Sequence, residues 1–321
     1  MYVRPELQAL REDDHPQRQA QADLSGVLKA WRSSRLGGGI DEAMAAFARG
    51  VEIDHLPPFA RLFTAGDPAA RRLADEFTAR FTGVLSTHHW GQVPVPSKLD
   101  QMAATLVLAA AGNAALVIQA IDGDALRVRP RALTAAFSPG ETHDHVLAGA
   151  GKAQRVEIAA ETGAGAELVA SPCELVPGTI ARRDGARQSL LIEDVSATLV
   201  ILRLQRRPGC GSVTREFSLA DGAMVHQATA NPRESRLELT AALIGRMGRA
   251  DAAPLLAAMA EEQSGPSLRW QALRESLGLD TAEGFAALTR IARRAGDTLA
   301  GPAEAMRSQL LARYPELERI A

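Results

Sequence analysis

Cysteine is scarce: the 321 residues contain two, Cys173 and Cys210. Neither sits in a CxxC or Cys/His ligand spacing, which excludes a disulfide framework and a zinc-finger pattern. Aromatic residues make up only 4% of the chain, so its core must be built from Ala, Leu, Val and Ile. Lysine is confined to Lys29, Lys98 and Lys152, and Arg carries nearly all the positive charge. With the abundant Ala, that usage points to a GC-rich genome rather than to a functional choice. No run approaches the roughly 18 continuous apolar residues of a membrane span. The first thirty residues carry Arg4, Glu6, Arg11, Glu12, Asp13 and Asp14 where a secretory signal would place an apolar core. These absences lead us to expect a protein of the reducing cytosol with no membrane partner.

Hydrophobic content is 46%, and 36 Lys and Arg stand against 38 Asp and Glu. The length allows two or three packed domains. The near-neutral balance provides no general field for nucleic acid or anionic lipid, so no nucleic-acid partner is expected.

The rhythm of the apolar residues changes twice along the chain. Residues 1 to about 22 are polar. Leu24, Val27, Leu28 and Trp31 then fall at helical spacing, Gly37-Gly38-Gly39 ends that run, and a second helix is expected from Asp41. His55-Leu56-Pro57-Pro58 reads as a connector. Gly66-Asp67-Pro68 opens a stronger helix with Leu73, Phe77, Phe81 and Leu85 on one stripe. After Thr87 short β-like runs follow at 105–108, 115–118, 155–158, 167–169, 189–192, 198–202, 215–219 and 223–226. Between them lie Gly112-Asn113, Asp122-Gly123, Asp184-Gly185 and Asp221-Gly222, pairs suited to tight turns. No helix-length pattern separates the runs, which favours an antiparallel sandwich or barrel over a parallel sheet. Asn231-Pro232-Arg233-Glu234 is a helix start: a capping side chain, Pro in the first turn, and Glu three residues after the cap. Beyond it the stripes Leu239/Leu243/Met247, Ala253/Leu256/Met259, Trp270/Leu273/Leu277, Phe285/Leu288/Ile291 and Met306/Leu310 are all helical. The expected fold class is therefore α+β and multidomain: N-terminal helices over 1–87, an antiparallel β domain over 88–230, and C-terminal helices over 231–321.

Within 231–321 the helices recur in pairs. Arg236-Leu-Glu-Leu leads into Ala253-Pro254-Leu255-Leu256, Arg269-Trp-Gln-Ala-Leu leads into Phe285-Ala286-Ala287-Leu288, and a third start stands at Arg307. The stretch resembles HEAT repeats, which are α-helical hairpin repeats. The resemblance implies a protein-interaction surface, with another protein as partner. Near the middle of the β region, Pro139-Gly140-Glu141-Thr142-His143-Asp144-His145 places two histidines two residues apart. On a strand they point to one face, as two ligands of one metal must. The motif resembles the first motif of the cupins, which are metal-binding jelly rolls. It implies a jelly-roll-like β domain holding a divalent transition metal, with His143, His145 and His226 as candidate ligands. His88-His89-Trp90 reads as a junction anchored by Trp90. Gly163-Ala164-Gly165 reads as a loop, and Cys173 as a small core residue.

No nucleophile elbow, dinucleotide fingerprint or P-loop is present, and no catalytic residue is assigned. Two functions follow as expectations. The first is a non-catalytic interaction or regulatory protein with no cofactor, using its HEAT-like surface beside the β domain. The alternative is a cupin-like metal-dependent enzyme or sensor built on the His-x-His site.

Overall fold

The structure, a computed structural model, describes residues 13–88, 90–162, 165–207, 209 and 211–320. His89, Cys210, the Gly163-Ala164 pair and residues 1–12 lie outside the described residues. The fold is α+β, with helices before and after a set of antiparallel sheets. The chain divides into two compact units. The first holds everything described up to Ala135, then Gly140–Arg207 and Ser218–Ala223. The second holds Ala136–Pro139, the described part of Pro208–Phe217, and Met224 onwards.

The first unit opens with helices α1 (His15–Arg32), α2 (Ile40–Ala48), α3 (Pro57–Leu62) and α4 (Ala69–Leu85). Helix α1 starts well before Leu24, because Pro16 is accommodated in its first turn and Ala20 extends the buried face. The expected connector at Pro57-Pro58 instead begins α3, since Pro tolerates a first helical turn. The stripe of α4 buries Leu73, Phe77 and Phe81, and Trp31 meets Phe77 edge-on at 5.1 Å.

The strands are β1 (Ser97–Leu99), β2 (Ala103–Ala111), β3 (Ala114–Asp122), β4 (Thr134–Phe137), β5 (Glu141–Ala148), β6 (Gly151–Thr162), β7 (Gly165–Leu175), β8 (Ile180–Asp184), β9 (Gln188–Val195) and β10 (Thr198–Arg206), followed by β11 (Val213–Ser218) and β12 (Met224–Thr229). One sheet has the order β1-β2-β3-β10-β5-β8, and a second the order β7-β6-β9. Asp122-Gly123 is not a hairpin turn. The Asp122 carboxylate accepts from the N–H groups of Asp124 and Ala125 and caps a one-turn helix, α5 (Gly123–Arg127). The turn from β5 to β6 needs a glycine: Gly149 has φ +81°, and a Cβ there would collide with the Thr198 carbonyl oxygen.

Two apolar layers position the rest of this unit. Leu108, Leu116, Leu147, Leu202 and Leu204 on one face of the large sheet join Phe47, Phe59, Leu73 and Phe77 of the helices. On the opposite face, Ile121, Val146, Leu199 and Ile201 meet Ala153, Leu175 and Val195 of the three-stranded sheet. The expected 1–87 helical region therefore shares a core with the strands.

The second unit contains β11 and β12, whose sheet has the order β12-β11-β4, and Phe137 packs on Phe217 at 5.8 Å. These two strands group with the C-terminal helices rather than with the remainder of the expected 88–230 domain. Five helices follow: α6 (Pro232–Arg246), α7 (Ala253–Glu261), α8 (Pro266–Leu279), α9 (Thr281–Ala292) and α10 (Ala300–Arg313). Asn231 caps α6 and Asp280 caps α9, as their sequences suggest. Helix α8 is the hub, packed against α6, α7 and α9. The first expected hairpin, α6 with α7, is not the main contact of α6, which instead lies on α8. Ala241 and Gly245 let it approach closely there, so that a Cβ on Gly245 would run into the Glu275 carboxylate. Buried Arg269 of α8 ties the hub to the loop before α10 through a forked pair with Asp297, at 2.9 and 2.6 Å.

Candidate ligand-binding face of the sandwich

Strand β5 carries the His-x-His motif and is hydrogen-bonded to β10 on one side and β8 on the other. Its alternation sorts the motif onto two faces. Glu141, His143, His145 and Leu147 face the N-terminal helices. Asp144 and Val146 face the three-stranded sheet.

The helix-facing set forms a closed network. His143 is buried, its ring 5.8 Å from Phe63 and 6.4 Å from Phe47. Its Nε2 lies 2.7 Å from Glu141 Oε1. Glu141 also accepts from Arg182 at 2.9 Å and from Arg206 at 2.6 Å. Arg206 stacks over the Phe47 ring at 4.4 Å and donates to the Phe47 carbonyl at 2.6 Å, placing a cation at the C-terminal end of α2. His145 Nδ1 is 2.6 Å from the Leu62 carbonyl of α3. Burial pushes the His143 pKa down, and the bond to Glu141 only partly offsets it. Burial also acts to raise Glu141, but His143, Arg206 and Arg182 outweigh it and hold the carboxyl below its ordinary range.

The two histidines thus share a face, as the spacing predicts, and that face is the one the helices cover. Each ring already commits one nitrogen. The third candidate, His226, is exposed on β12 in the other unit. Among the described residues, no group of three or more His, Cys, Asp or Glu side chains is placed to hold a metal ion. A bound transition metal needs three or four convergent donors, so the residues present do not fit that cofactor. His88 pairs with Asp23 at 3.1 Å, and Cys173 is half-buried at the edge of the inter-sheet layer.

The inward set is a different kind of site. Asp144 is 3% exposed. Its carboxylate accepts from Arg203 Nε at 2.6 Å and Nη2 at 3.1 Å, and from Arg183 Nη2 at 2.5 Å. Register places Arg203 directly opposite Asp144 on β10, while Arg183 of β8 pairs two residues along, with Thr142, on the same face. Arg155 of β6 lies on the face that carries Ala153 into the inter-sheet core, and its charge is felt at Arg183. Two guanidinium groups thus engage one carboxylate, and the charge of a third, Arg155, bears on one of them, Arg183. Glu157, next on the same face of β6, is held by Gln188 Nε2 at 2.9 Å. The Nε atoms of Arg155 and Arg183 are buried with no hydrogen-bond partner. Counting Asp144 and Glu157 against Arg155, Arg183 and Arg203, this layer carries one positive charge in excess.

Burial acts to raise the Asp144 pKa, but Arg203 and Arg183 outweigh it and hold the group ionised, below the ordinary carboxylate range. Arg183 moves the opposite way: burial lowers it and Asp144 opposes the change, while Arg203 and Arg155 add repulsion. A carboxylate held this way is a poor proton acceptor, and guanidinium does not deprotonate in a protein. What the cluster offers chemically is charge and forked donors suited to a planar oxyanion. The sequence contains no motif for it, because the four residues are spread over β5, β6, β8 and β10 and only strand register brings them together.

No protein-family model and no curated protein matches the chain. Solved structures do match part of it. It is similar to the 7S globulin of Momordica charantia (13% identity over 40% of this chain and 36% of that one, TM-score 0.26). It is similar to an oxalate decarboxylase of Lactobacillus farciminis (14% identity, 40% and 37% of the two chains, TM-score 0.27). It is also similar to a cupin superfamily protein of Desulfitobacterium hafniense (10% identity, 35% and 83%, TM-score 0.23). The chain spans only about a third of the first two proteins, 36% and 37% of their lengths.

Proposed function

We propose that the sandwich is a binding module for a small oxyanion, a carboxylate or a phosphate, and that it acts as a sensor rather than through metal chemistry. It keeps the ligand-binding half of the cupin-like expectation and replaces the metal with guanidinium groups. The observation that carries it is the unbalanced inward cluster. Asp144 is saturated by Arg183 and Arg203, and two buried Nε–H donors, on Arg155 and Arg183, have no acceptor. An unmatched buried donor costs about 1–3 kcal/mol, and an oxyanion between these groups would recover that cost and neutralise the excess charge.

Thermal unfolding in succinate, acetate and inorganic phosphate, with chloride at equal ionic strength as control, tests the reading. A ligand at one hundred times its Kd stabilises the folded state by about 2.7 kcal/mol, which is a shift of several degrees for a unit of this size. Such a shift is expected for at least one oxyanion, as is its loss in Arg155→Gln. Equal response to all salts, or an unchanged shift in Arg155→Gln, rejects the proposal. A second reading, protein interaction through the C-terminal helices, is favoured by one observation on α6.

A further inference from the structure

Leu239, Leu243 and Met247 recur every fourth residue, the spacing of a helix face meant for burial. In the structure they are 70%, 58% and 60% exposed. Helix α6 buries its other side, around Ala241, against α8. The face that the sequence gathers on one side of the helix is thus the exposed one. The small residues Ala241 and Gly245 allow the closer approach, and they turn the large side chains outward.

Advancing 100° per residue, Arg236 and Arg246 fall on the same face as the three apolar residues, with Arg233 at its margin, and no Asp or Glu falls there. No side-chain hydrogen bond or salt bridge engages these three arginines among the described residues. Glu234, the acidic residue of the first turn, points away and is consumed by the Gly265 and Gly211 N–H groups and the Thr229 hydroxyl. The face is therefore apolar along its centre and cationic at its rim. A second copy docking through the same face would bring arginine against arginine. The chain's overall charge of −2 gives no support to a nucleic acid or an anionic bilayer.

We infer that α6 is a docking surface for an amphipathic helix of a partner protein whose apolar anchors are flanked by carboxylates. Anchors at i, i+4 and i+8 are the register in which one helix lies against another. The carboxylates supply steering and orientation, and the Leu contacts supply most of the affinity. This inference is independent of the oxyanion site, which lies in the other unit.

The test uses the full chain and a fluorescein-labelled synthetic peptide of about five helical turns, with leucines at every third and fourth position flanked by glutamates. A second peptide replaces each glutamate with lysine. Fluorescence anisotropy is expected to show binding of the glutamate peptide, weakened as salt rises, and little binding of the lysine peptide. Leu243→Asp is expected to weaken it by about tenfold or more. In the double variant Arg236→Glu with Arg246→Glu, the preference should reverse in favour of the lysine peptide. All three positions are exposed, and far-UV circular dichroism confirms that each variant is folded. Equal binding of both peptides, no effect of Leu243→Asp, or failure of the charge reversal overturns the inference. So does a dimer in sedimentation equilibrium, or binding to phosphatidylglycerol vesicles, that Leu243→Asp abolishes.

Discussion

Replacing Asp144 with Asn removes the one full negative charge that Arg183 and Arg203 share. The new side chain is the same size, so no cavity forms, and the effect is electrostatic. Three hydrogen bonds between 2.5 and 3.1 Å lose their charge assistance. Two guanidinium groups are left facing each other and Arg155 in a space mostly closed to water. Removing one partner of a buried ion pair costs about 3–5 kcal/mol. The Arg203 side chain is 22% exposed and Arg183 11%, so water softens the repulsion and the lower end, about 3 kcal/mol, is expected. The chain divides into two compact units, so the probe must report the first alone. A Trp270→Phe background leaves Trp31 and Trp90, both in that unit. Urea unfolding followed by tryptophan emission, with and without Asp144→Asn in that background, then gives the difference directly.

The same series carries a pH signature. The Asp144 pKa is depressed in the folded state, so its contribution is fully present above the unfolded value, near 3.9. That contribution is lost as pH falls through the folded value. The gap between parent and variant should hold constant from pH 8 to about 5 and narrow only in stronger acid. The oxyanions that stabilise the parent should stabilise the Asn variant more, since its unbalanced charge is larger. A loss below about 1 kcal/mol, or a gap that closes near neutrality, would refute the electrostatic account of the cluster.

Burial depresses the His143 pKa, so the unfolded chain binds its proton first, and stability should fall as pH drops below about 6.5; thermal scans from pH 7.5 to 5.5 should show a smaller loss for His143→Gln than for the parent. Gly149→Ala should cost at least about 2 kcal/mol, since it combines a positive φ with backbone crowding, and chemical denaturation of the first unit checks it. Arg269→Ala should destabilise the second unit by about 3 kcal/mol by stranding Asp297, read through Trp270 emission. Leu243→Glu should change stability by no more than about 0.5 kcal/mol, whereas an inward-facing Leu would cost several times that in the same urea titration.

The element order is largely legible in the sequence, because capping and periodicity are local. Asn231 and Asp280 cap the helices that their sequences announce, and Gly112-Asn113 joins β2 to β3 where the turn chemistry places it. The face a strand or helix presents is not legible where two faces are both apolar. Strand β5 is buried on both sides, so its pattern does not say which neighbours the His143/His145 face will meet. Leu239 and Leu243 have the spacing of a core stripe, and only the small residues Ala241 and Gly245 hint that the opposite side packs. The inward cluster is invisible in the sequence for a related reason. Arg155, Arg183 and Arg203 read singly as surface charges, and the pairing of β5 with β8 and β10 is what carries Arg183 and Arg203 to Asp144.

The decisive measurement is a titration of succinate and phosphate into nitrogen-15-labelled protein, following the arginine Nε–H resonances. Saturable shifts are predicted for the Arg155 and Arg183 signals, the buried Nε donors of this layer without an acceptor, together with their absence in Arg155→Gln. Resonances that stay in place, or that move identically in the variant, would contradict the oxyanion site.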